Sequence, residues 1–272
     1  MGTASGTARS AARTVEDNPV VKILARTGYA VNGLLHILIG IIAIAVAVGA
    51  GGSQEADQSG ALKQLSSHPA GYAVLWIVVI GLFALALWQI IAGVLVRQDD
   101  AKKRWGKRIG EWAKAVVYLV IGGTALSVAL GSDSSSSEST SSMSATLLAS
   151  PGGVFLVIAI GIGVFIAGVS FVVIGVRQGF KKQLTVPPRP VGTVVVTLGV
   201  VGYVAKGIAL GVVGVLFVVA AVTNDSEQAS GLDGALKALA GLPYGVVVLS
   251  AVGVGLIAYG VYLGARARWA RL

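Results

Sequence analysis

Six apolar runs, each long enough to cross a lipid bilayer, constrain this chain more than any other feature of its sequence. They cover residues 29–49, 71–96, 113–130, 153–176, 203–222 and 245–264. A helix of about twenty residues rises roughly 30 Å, the thickness of the hydrocarbon core, and bonds its backbone polar groups internally. The strands of a membrane β-barrel alternate in polarity, and these runs do not. The sequence therefore predicts an all-α integral membrane protein with six transmembrane helices.

Charge is scarce and unevenly distributed along the chain. Charged residues make up only 12% of it, about half of their share in soluble domains. Eighteen of the twenty-one lysines and arginines lie in the N-terminal segment, in or just after the second and fourth connections, and in the tail. Because cytoplasmic loops carry such an excess, the pattern predicts a multi-pass membrane protein with both termini in the cytoplasm.

The formal net charge of +9 is therefore interpreted as a signal of topology. Basic residues beside a membrane attract anionic lipid headgroups. The expected partners are membrane lipids on the cytoplasmic side, a protein partner is left open, and nucleic acid is not expected to bind.

The chain repeats itself twice with fixed offsets. Gly28, Gly110 and Gly202 open the first, third and fifth runs, 82 and then 92 residues apart. Pro69, Pro151 and Pro243 precede the even-numbered runs with the same two offsets. Each unit holds two spans, so all three enter the membrane from one side, as parallel repeats about an axis along its normal. The expected architecture is three parallel two-helix repeats with approximate threefold pseudo-symmetry.

This pattern divides the chain into seven parts. They are an N-terminal segment 1–27, three repeats 28–97, 110–177 and 202–264, two basic connections 98–109 and 178–201, and a tail 265–272. The serine-rich stretch 132–144 predicts a flexible external loop, and the stretch 233–239 predicts a short amphipathic helix on the outer surface.

The start of the repeats resembles a known family. Residues 28–33 and 202–207 are similar to a Gly-Tyr-x-x-(Arg/Lys)-Gly opening in a bacterial membrane family, common in actinobacteria and known only as domain of unknown function 1206. The chain departs from the opening at Asn32, Glu111 and Ala115. The resemblance implies a pair of transmembrane helices occurring three times and a location in the bacterial cytoplasmic (inner) membrane, and it implies no activity.

One face of each odd-numbered span carries small residues at both ends and, in two copies, polar residues between them. Taken at intervals of four, the faces read Gly28, Asn32, His36, Gly40; then Gly110, Lys114, Tyr118, Gly122; then Gly202, Lys206, Leu210, Gly214. Residues four apart share a helix face, and small residues let helices approach closely in a membrane. The glycines are predicted helix-packing positions, and His36 and Tyr118 are predicted to face the axis.

A lysine within a span indicates a functional position by default. Lys206 and Lys114, with Asn32 and Glu111, form a candidate site for an anion or a lipid headgroup. The alternative for Lys206 is a side chain that extends to the membrane interface without binding anything. His36 is expected to be a neutral, hydrogen-bonded histidine, with a proton relay as the alternative.

No catalytic motif appears in the sequence. Cysteine is absent, there are only two histidines, and no carboxylate lies inside a span, which disfavours metal sites, cofactors and ion-coupled transport. We therefore expect a non-enzymatic protein that binds lipid or a partner in a structural or regulatory role. The alternative is a pore or facilitator that passes a small solute or anion along the pseudo-threefold axis.

Overall fold

The computed structural model describes residues 19–52, 54–67, 69–96, 100–132 and 135–271. Nine α-helices form its described part, in chain order: α1 (Pro19–Ala47), α2 (Gln58–Ser66), α3 (Pro69–Leu95), α4 (Ala101–Ala129), α5 (Ser136–Leu148), α6 (Gly153–Val176), α7 (Val191–Thr223), α8 (Gly231–Ala240) and α9 (Gly245–Trp269). Among them α1, α3, α4, α6, α7 and α9 are long and apolar enough to cross a membrane. The prediction of an all-α protein with six spans is confirmed. Of the N-terminal segment predicted over 1–27, residues 1–18 lie outside the described residues.

Three helices begin ten or more residues before the apolar runs that predicted them, and the first is α1, which begins at Pro19 rather than near 29. Helix α4 begins at Ala101 rather than near 113, and Asp100 caps it by accepting from the Lys102 backbone N–H at 2.9 Å. Helix α7 begins at Val191 rather than near 203. The predicted connection 98–109 is therefore α-helical from residue 101 onward, because α4 includes its basic segment, and the connection 178–201 is α-helical from residue 191 onward, because α7 includes further apolar residues.

The flexible loop predicted over 132–144 is wrong from residue 136 onward. Helix α5 begins at Ser136, and the Ser135 hydroxyl caps it by accepting from the Glu138 backbone N–H at 3.0 Å. Serine favours helix starts and turns more than helix interiors, so the serine-rich composition did not predict this helix, which tertiary contacts stabilise. The stretch 233–239 lies in helix α8, as expected.

The second helix of each repeat packs against the first helix of the next repeat. Helix α3 contacts α4, α6 contacts α7, and α9 returns to contact α1. Within repeats, α1 packs on α3 and α7 on α9, whereas α4 and α6 are not packed together in the part of the chain described. The six helices thus follow the ring order α4, α3, α1, α9, α7, α6. This cyclic arrangement agrees with three parallel repeats, and it is open at one place, between α4 and α6.

Glycine pairs hold two of the three contacts between repeats. A Cβ added to Gly40 of α1 would lie 2.5 Å from the Gly253 carbonyl oxygen of α9, and one on Gly214 of α7 would lie 2.7 Å from that of Gly161 in α6. The third contact is looser, since a Cβ on Gly122 of α4 would have its nearest neighbours at 3.5 Å. The predicted packing role of these three glycines is strongest at Gly40 and Gly214.

Hydrogen bonds between described residues join the segments that connect the two helices of each repeat, and three of them together link all three pairs of repeats. The Ala56 backbone N–H donates to Asp233 at 2.8 Å, the Ser136 backbone N–H donates to the Ser59 hydroxyl at 3.1 Å, and the Ser141 hydroxyl donates to the Ser226 carbonyl at 3.0 Å. Each bond links a different pair of repeats. Together with α2, α5 and α8 they form a cap over one end of the bundle, called the outer cap below. The opposite end carries the basic residues and is called the basic end.

We expect Gly40→Ala and Gly214→Ala to destabilise the protein, because their added methyl groups would meet backbone atoms at 2.5 Å. Overpacking of this kind costs about 1–3 kcal/mol. Gly122→Ala is the matched control and should leave the melting temperature in detergent unchanged or raise it, since alanine also favours a helix. Equal losses in all three variants would contradict the glycine contacts between repeats.

The outer cap should become less stable as the pH rises. Burial raises the pKa of Asp57 above its ordinary 3.8, and the nearby carboxylates of Glu55 and Asp233 raise it further. An acid whose pKa is raised by folding stabilises the folded state at low pH, and that contribution is lost as the pH rises from 3.8 through the raised value. Asp57→Asn should flatten this part of the melting profile, and Asp225→Asn, at a more exposed helix cap, should not.

Candidate functional site

Two clusters of buried side chains divide the interior of the bundle. An aliphatic cluster adjoins the outer cap and takes residues from five spanning helices, among them Ile39, Leu82, Val128, Ala209 and Leu256. An aromatic cluster lies at the basic end and contains Tyr29, Phe180, Tyr203, Tyr259 and Tyr262. Polar side chains of the interior are therefore found on the basic side of an aliphatic layer.

Lys206 points into the bundle instead of out to the membrane interface. Its Nζ lies 3.1 Å from Nε2 of His36 on helix α1. The same ammonium lies 4.6 Å from the ring centroid of Tyr259 and 5.2 Å from that of Phe171, distances at which a cation is attracted to an aromatic face. One lysine thus joins four helices, since its neighbours belong to α1, α6 and α9.

The hydrogen bonds of His36 fix which of its nitrogens carries a proton. Nδ1 lies 2.8 Å from the backbone carbonyl oxygen of Asn32, which can only accept, so Nδ1 donates. Nε2 is then the acceptor for the Lys206 amine. The imidazole is neutral in this arrangement, as expected from the sequence, and it packs edge-on against Tyr259 with centroids 4.9 Å apart.

The Lys206 ammonium has no acidic partner among the described residues. Ion pairs within 4.0 Å between described residues join Lys103 to Asp100, Lys114 to Glu111 and Lys237 to Asp233, and none of them includes Lys206. An ammonium withdrawn from water without a counter-charge is costly. This position would be stabilised by an anion that approaches it inside the bundle.

The structure separates the other members of the predicted anion site. Lys114 pairs with Glu111 on its own helix, and its side chain is 49% exposed. Asn32 is buried and bonds His36 through its carbonyl group. Tyr118 is partly buried against the aliphatic cluster. Lys206 and His36 therefore form one site, to which Asn32 contributes its backbone carbonyl group, while Lys114 and Glu111 neutralise each other.

Helices α4 and α6 are not packed together among the described residues, so the ring lacks one helix contact on the side of repeat two. A Cβ on Gly28 of α1 would lie 2.1 Å from Leu85, and one on Gly202 of α7 would lie 2.4 Å from Tyr259. At the equivalent Gly110 of α4, no atom of the described residues beyond its own helix lies within 4 Å. The predicted packing role thus holds for Gly28 and Gly202, and Gly110 has no packed neighbour in this structure.

Sequence reasoning missed several aromatic and basic residues of the site. Tyr259 and Phe171 flank Lys206, and the Arg266 guanidinium lies over the Tyr29 ring at 4.4 Å and donates to its hydroxyl at 3.3 Å. The alignment of repeats held one signal, since Tyr259 replaces Leu85 and Ala167 of the other copies. The partners of these residues depend on how the helices rotate, which the repeat pattern does not specify.

We expect Lys206 and His36 to be energetically coupled. His36→Leu leaves the amine without its acceptor and should lower the free energy of unfolding by about 1–3 kcal/mol. In the double variant with Lys206→Met, the loss should be smaller than the sum of the single losses, because the same contact is removed only once. Unfolding of the detergent-solubilised protein measures all four forms, and strictly additive losses would contradict the contact.

Comparisons with known proteins agree with the repeats and name no activity. The family model described as Domain of Unknown Function (DUF1206) matches residues 27–95, 109–178 and 201–270. The uncharacterized protein YxxB of Bacillus subtilis (strain 168) is 34% identical over 252 residues, which cover 91% of this chain and 90% of that protein. No solved structure gives a significant match. This chain is a multi-pass membrane protein that belongs to the family Domain of Unknown Function (DUF1206).

Proposed function

We propose that this protein is a non-enzymatic membrane protein that binds one anionic lipid in the interior of its helix bundle. The observation that carries the proposal is the Lys206 ammonium, which faces the interior beside His36 and has no carboxylate within 4.0 Å among the described residues. A lipid phosphate supplies the missing negative charge. The expectation of a non-enzymatic role rests on the lack of a catalytic motif in the sequence.

The opening between α4 and α6 supports a lipid over a water-soluble anion. The phosphate can reach Lys206 along the plane of the membrane while its acyl chains stay between or beside the two helices. The lining of α6 suits such chains, since Ile160, Ala167 and Ile174 face away from the helix's contact with α7 and are apolar. A lipid therefore fits both the charge of the site and its sideways access.

The aliphatic cluster argues for binding instead of conduction. It fills the interior between the basic end and the outer cap with side chains from five spanning helices. A continuous water path along the pseudo-threefold axis would have to cross this layer. The pore or facilitator remains the competing hypothesis, and the packing does not favour it.

We further propose that the basic end faces the cytoplasm of a bacterial cell, with the protein in the cytoplasmic membrane. The support is the concentration of lysine and arginine at that end. An anionic headgroup of the cytoplasmic leaflet would have to move inward between the helices to reach Lys206, which lies fifteen residues from the start of α7. The bound lipid would stabilise the open side of the ring, which is a structural or regulatory role.

The proposal is tested by counting bound lipid. Wild-type protein is reconstituted in nanodiscs of equal parts phosphatidylglycerol and phosphatidylcholine, and retained lipid is then identified by native mass spectrometry. We expect one retained phosphatidylglycerol and an affinity about tenfold lower in Lys206→Met, because a charge-assisted hydrogen bond contributes about 1.5–3 kcal/mol and each 1.4 kcal/mol is a factor of ten.

The matched control is Lys102→Met, which removes an exposed lysine at the basic end and should leave retention unchanged. Equal loss in both variants would show that the general basic surface, and not the interior site, attracts the lipid. Passage of a small anion through proteoliposomes that Lys206→Met abolishes would instead establish the pore.

A further inference from the structure

The two helices of a repeat meet at the same positions in repeats one and three. A Cβ on Gly81 of α3 would lie 3.2 Å from Val31 of α1, and a Cβ on Gly255 of α9 would lie 2.2 Å from Ala205 of α7. Gly81 and Gly255 are equivalent positions of the repeats, and so are Val31 and Ala205. A second equivalent pair of contacts joins Gly28 to Leu85 in repeat one and Gly202 to Tyr259 in repeat three. One helix contact, defined by two pairs of positions, is thus formed twice in the ring.

Repeat two keeps small residues at all four of these positions and does not form the contact. Its equivalents are Gly110 with Ala167 and Gly163 with Ala113. No atom of the described residues outside the glycine's own helix lies within 4 Å of a Cβ added to Gly110 or to Gly163. The surfaces that would meet are present on both helices, and in this structure they are apart.

We propose that α4 and α6 form a lateral gate, which closes by bringing Gly110 against Ala167 and Ala113 against Gly163. The closed contact would reproduce the geometry that repeats one and three already show. The proposed closure is supported by the contact that repeats one and three form at the equivalent positions, and it does not depend on the proposed function. The further statement that closure controls access of an anionic lipid to Lys206 rests on the proposed function.

The attachments of α4 show what such a movement would keep and what it would break. The end of α4 near the outer cap is tied by the Tyr72 hydroxyl, which donates to the Ala129 carbonyl at 2.9 Å. At Gly122 the helix packs loosely on α3, but at the basic end Arg108 donates to the Val94 carbonyl at 3.3 Å and Trp112 packs closely on Gly93. A pivot near Ala129 would carry the basic end of α4 toward α6, break the contacts of Arg108 and Trp112, and leave the outer cap in place.

The charged residues of α4 do not obstruct closure. Glu111 and Lys114 occupy the positions equivalent to Tyr203 and Lys206 of repeat three. Those residues point into the bundle, whereas Gly202 and Ala205 make the contact with α9. In the closed form the Glu111–Lys114 pair would therefore face the interior beside the site, and not the seam between α4 and α6.

The test is disulfide formation between engineered cysteines, for which the chain is suited because it contains none of its own. The variant Ala113→Cys/Gly163→Cys places one thiol on each side of the gate. The positive control is Val31→Cys/Gly81→Cys, where a Cβ on Gly81 would lie 3.5 Å from that of Val31, within the range that a disulfide bridges. Both variants are oxidised mildly in membranes and analysed by intact mass and gel mobility.

We expect a disulfide within one chain in both variants, and in the gate variant we expect less of it when phosphatidylglycerol is added than when phosphatidylcholine is added. A control that forms its disulfide while the gate variant does not would overturn the gate, as would disulfides that only join two chains. A second gate pair, Gly110→Cys/Ala167→Cys, replaces the first if that variant fails to fold.

The gate and the proposed function fail separately. If the gate disulfide forms equally with phosphatidylglycerol and phosphatidylcholine, and wild-type protein retains no lipid, the gate is supported and the proposed function is contradicted. If lipid is retained in a way that depends on Lys206 and no gate disulfide forms, the proposed function is supported and the gate is contradicted.

Discussion

The fold depends on how closely helix backbones approach each other at the contacts between repeats. Water does not drive apolar helices together inside a bilayer, so packing and hydrogen bonds hold them. Gly40 against Gly253 and Gly161 against Gly214 bring the backbones of two helix pairs into direct contact. The third contact has Val79 where its counterparts have Gly253 and Gly161, so α3 and α4 cannot come as close. The replacement of glycine by Val79 thus lies in the helix contact next to the open side of the ring.

The candidate site also depends on sequence differences between the three repeats. Repeat three supplies a lysine and a tyrosine, repeat one a histidine, and repeat two a phenylalanine, and all of them meet around one ammonium. A strictly symmetric ring would place three lysines at the same depth, where they would repel each other. Here Asn32 replaces one lysine and Glu111 neutralises another, so of the three equivalent positions only Lys206 carries a positive charge without an acidic partner among the described residues.

The sequence was sufficient for the spans, the parallel repeats and the helix-packing role of most of the glycines. Each of these follows from local composition or from a fixed offset. It could not predict that Lys206 turns inward to His36, because an inward and an outward lysine have the same spacing. It also could not predict that α4 and α6 stay apart, since the glycines Gly110 and Gly163 look the same whether or not a helix covers them. Helix α5 was missed because its serines are held by partners distant in the chain.

The contact between α9 and α1 joins the last spanning helix of the chain to the first. During synthesis α1 enters the membrane before its main neighbour α9 has been made. Gly33 and Gly40 therefore have no packed partner until Gly253 and Gly260 have been added to the chain. The ring therefore closes at this contact only after α9 has been made. A chain without α9 would leave the glycine surface of α1 facing lipid instead of a helix.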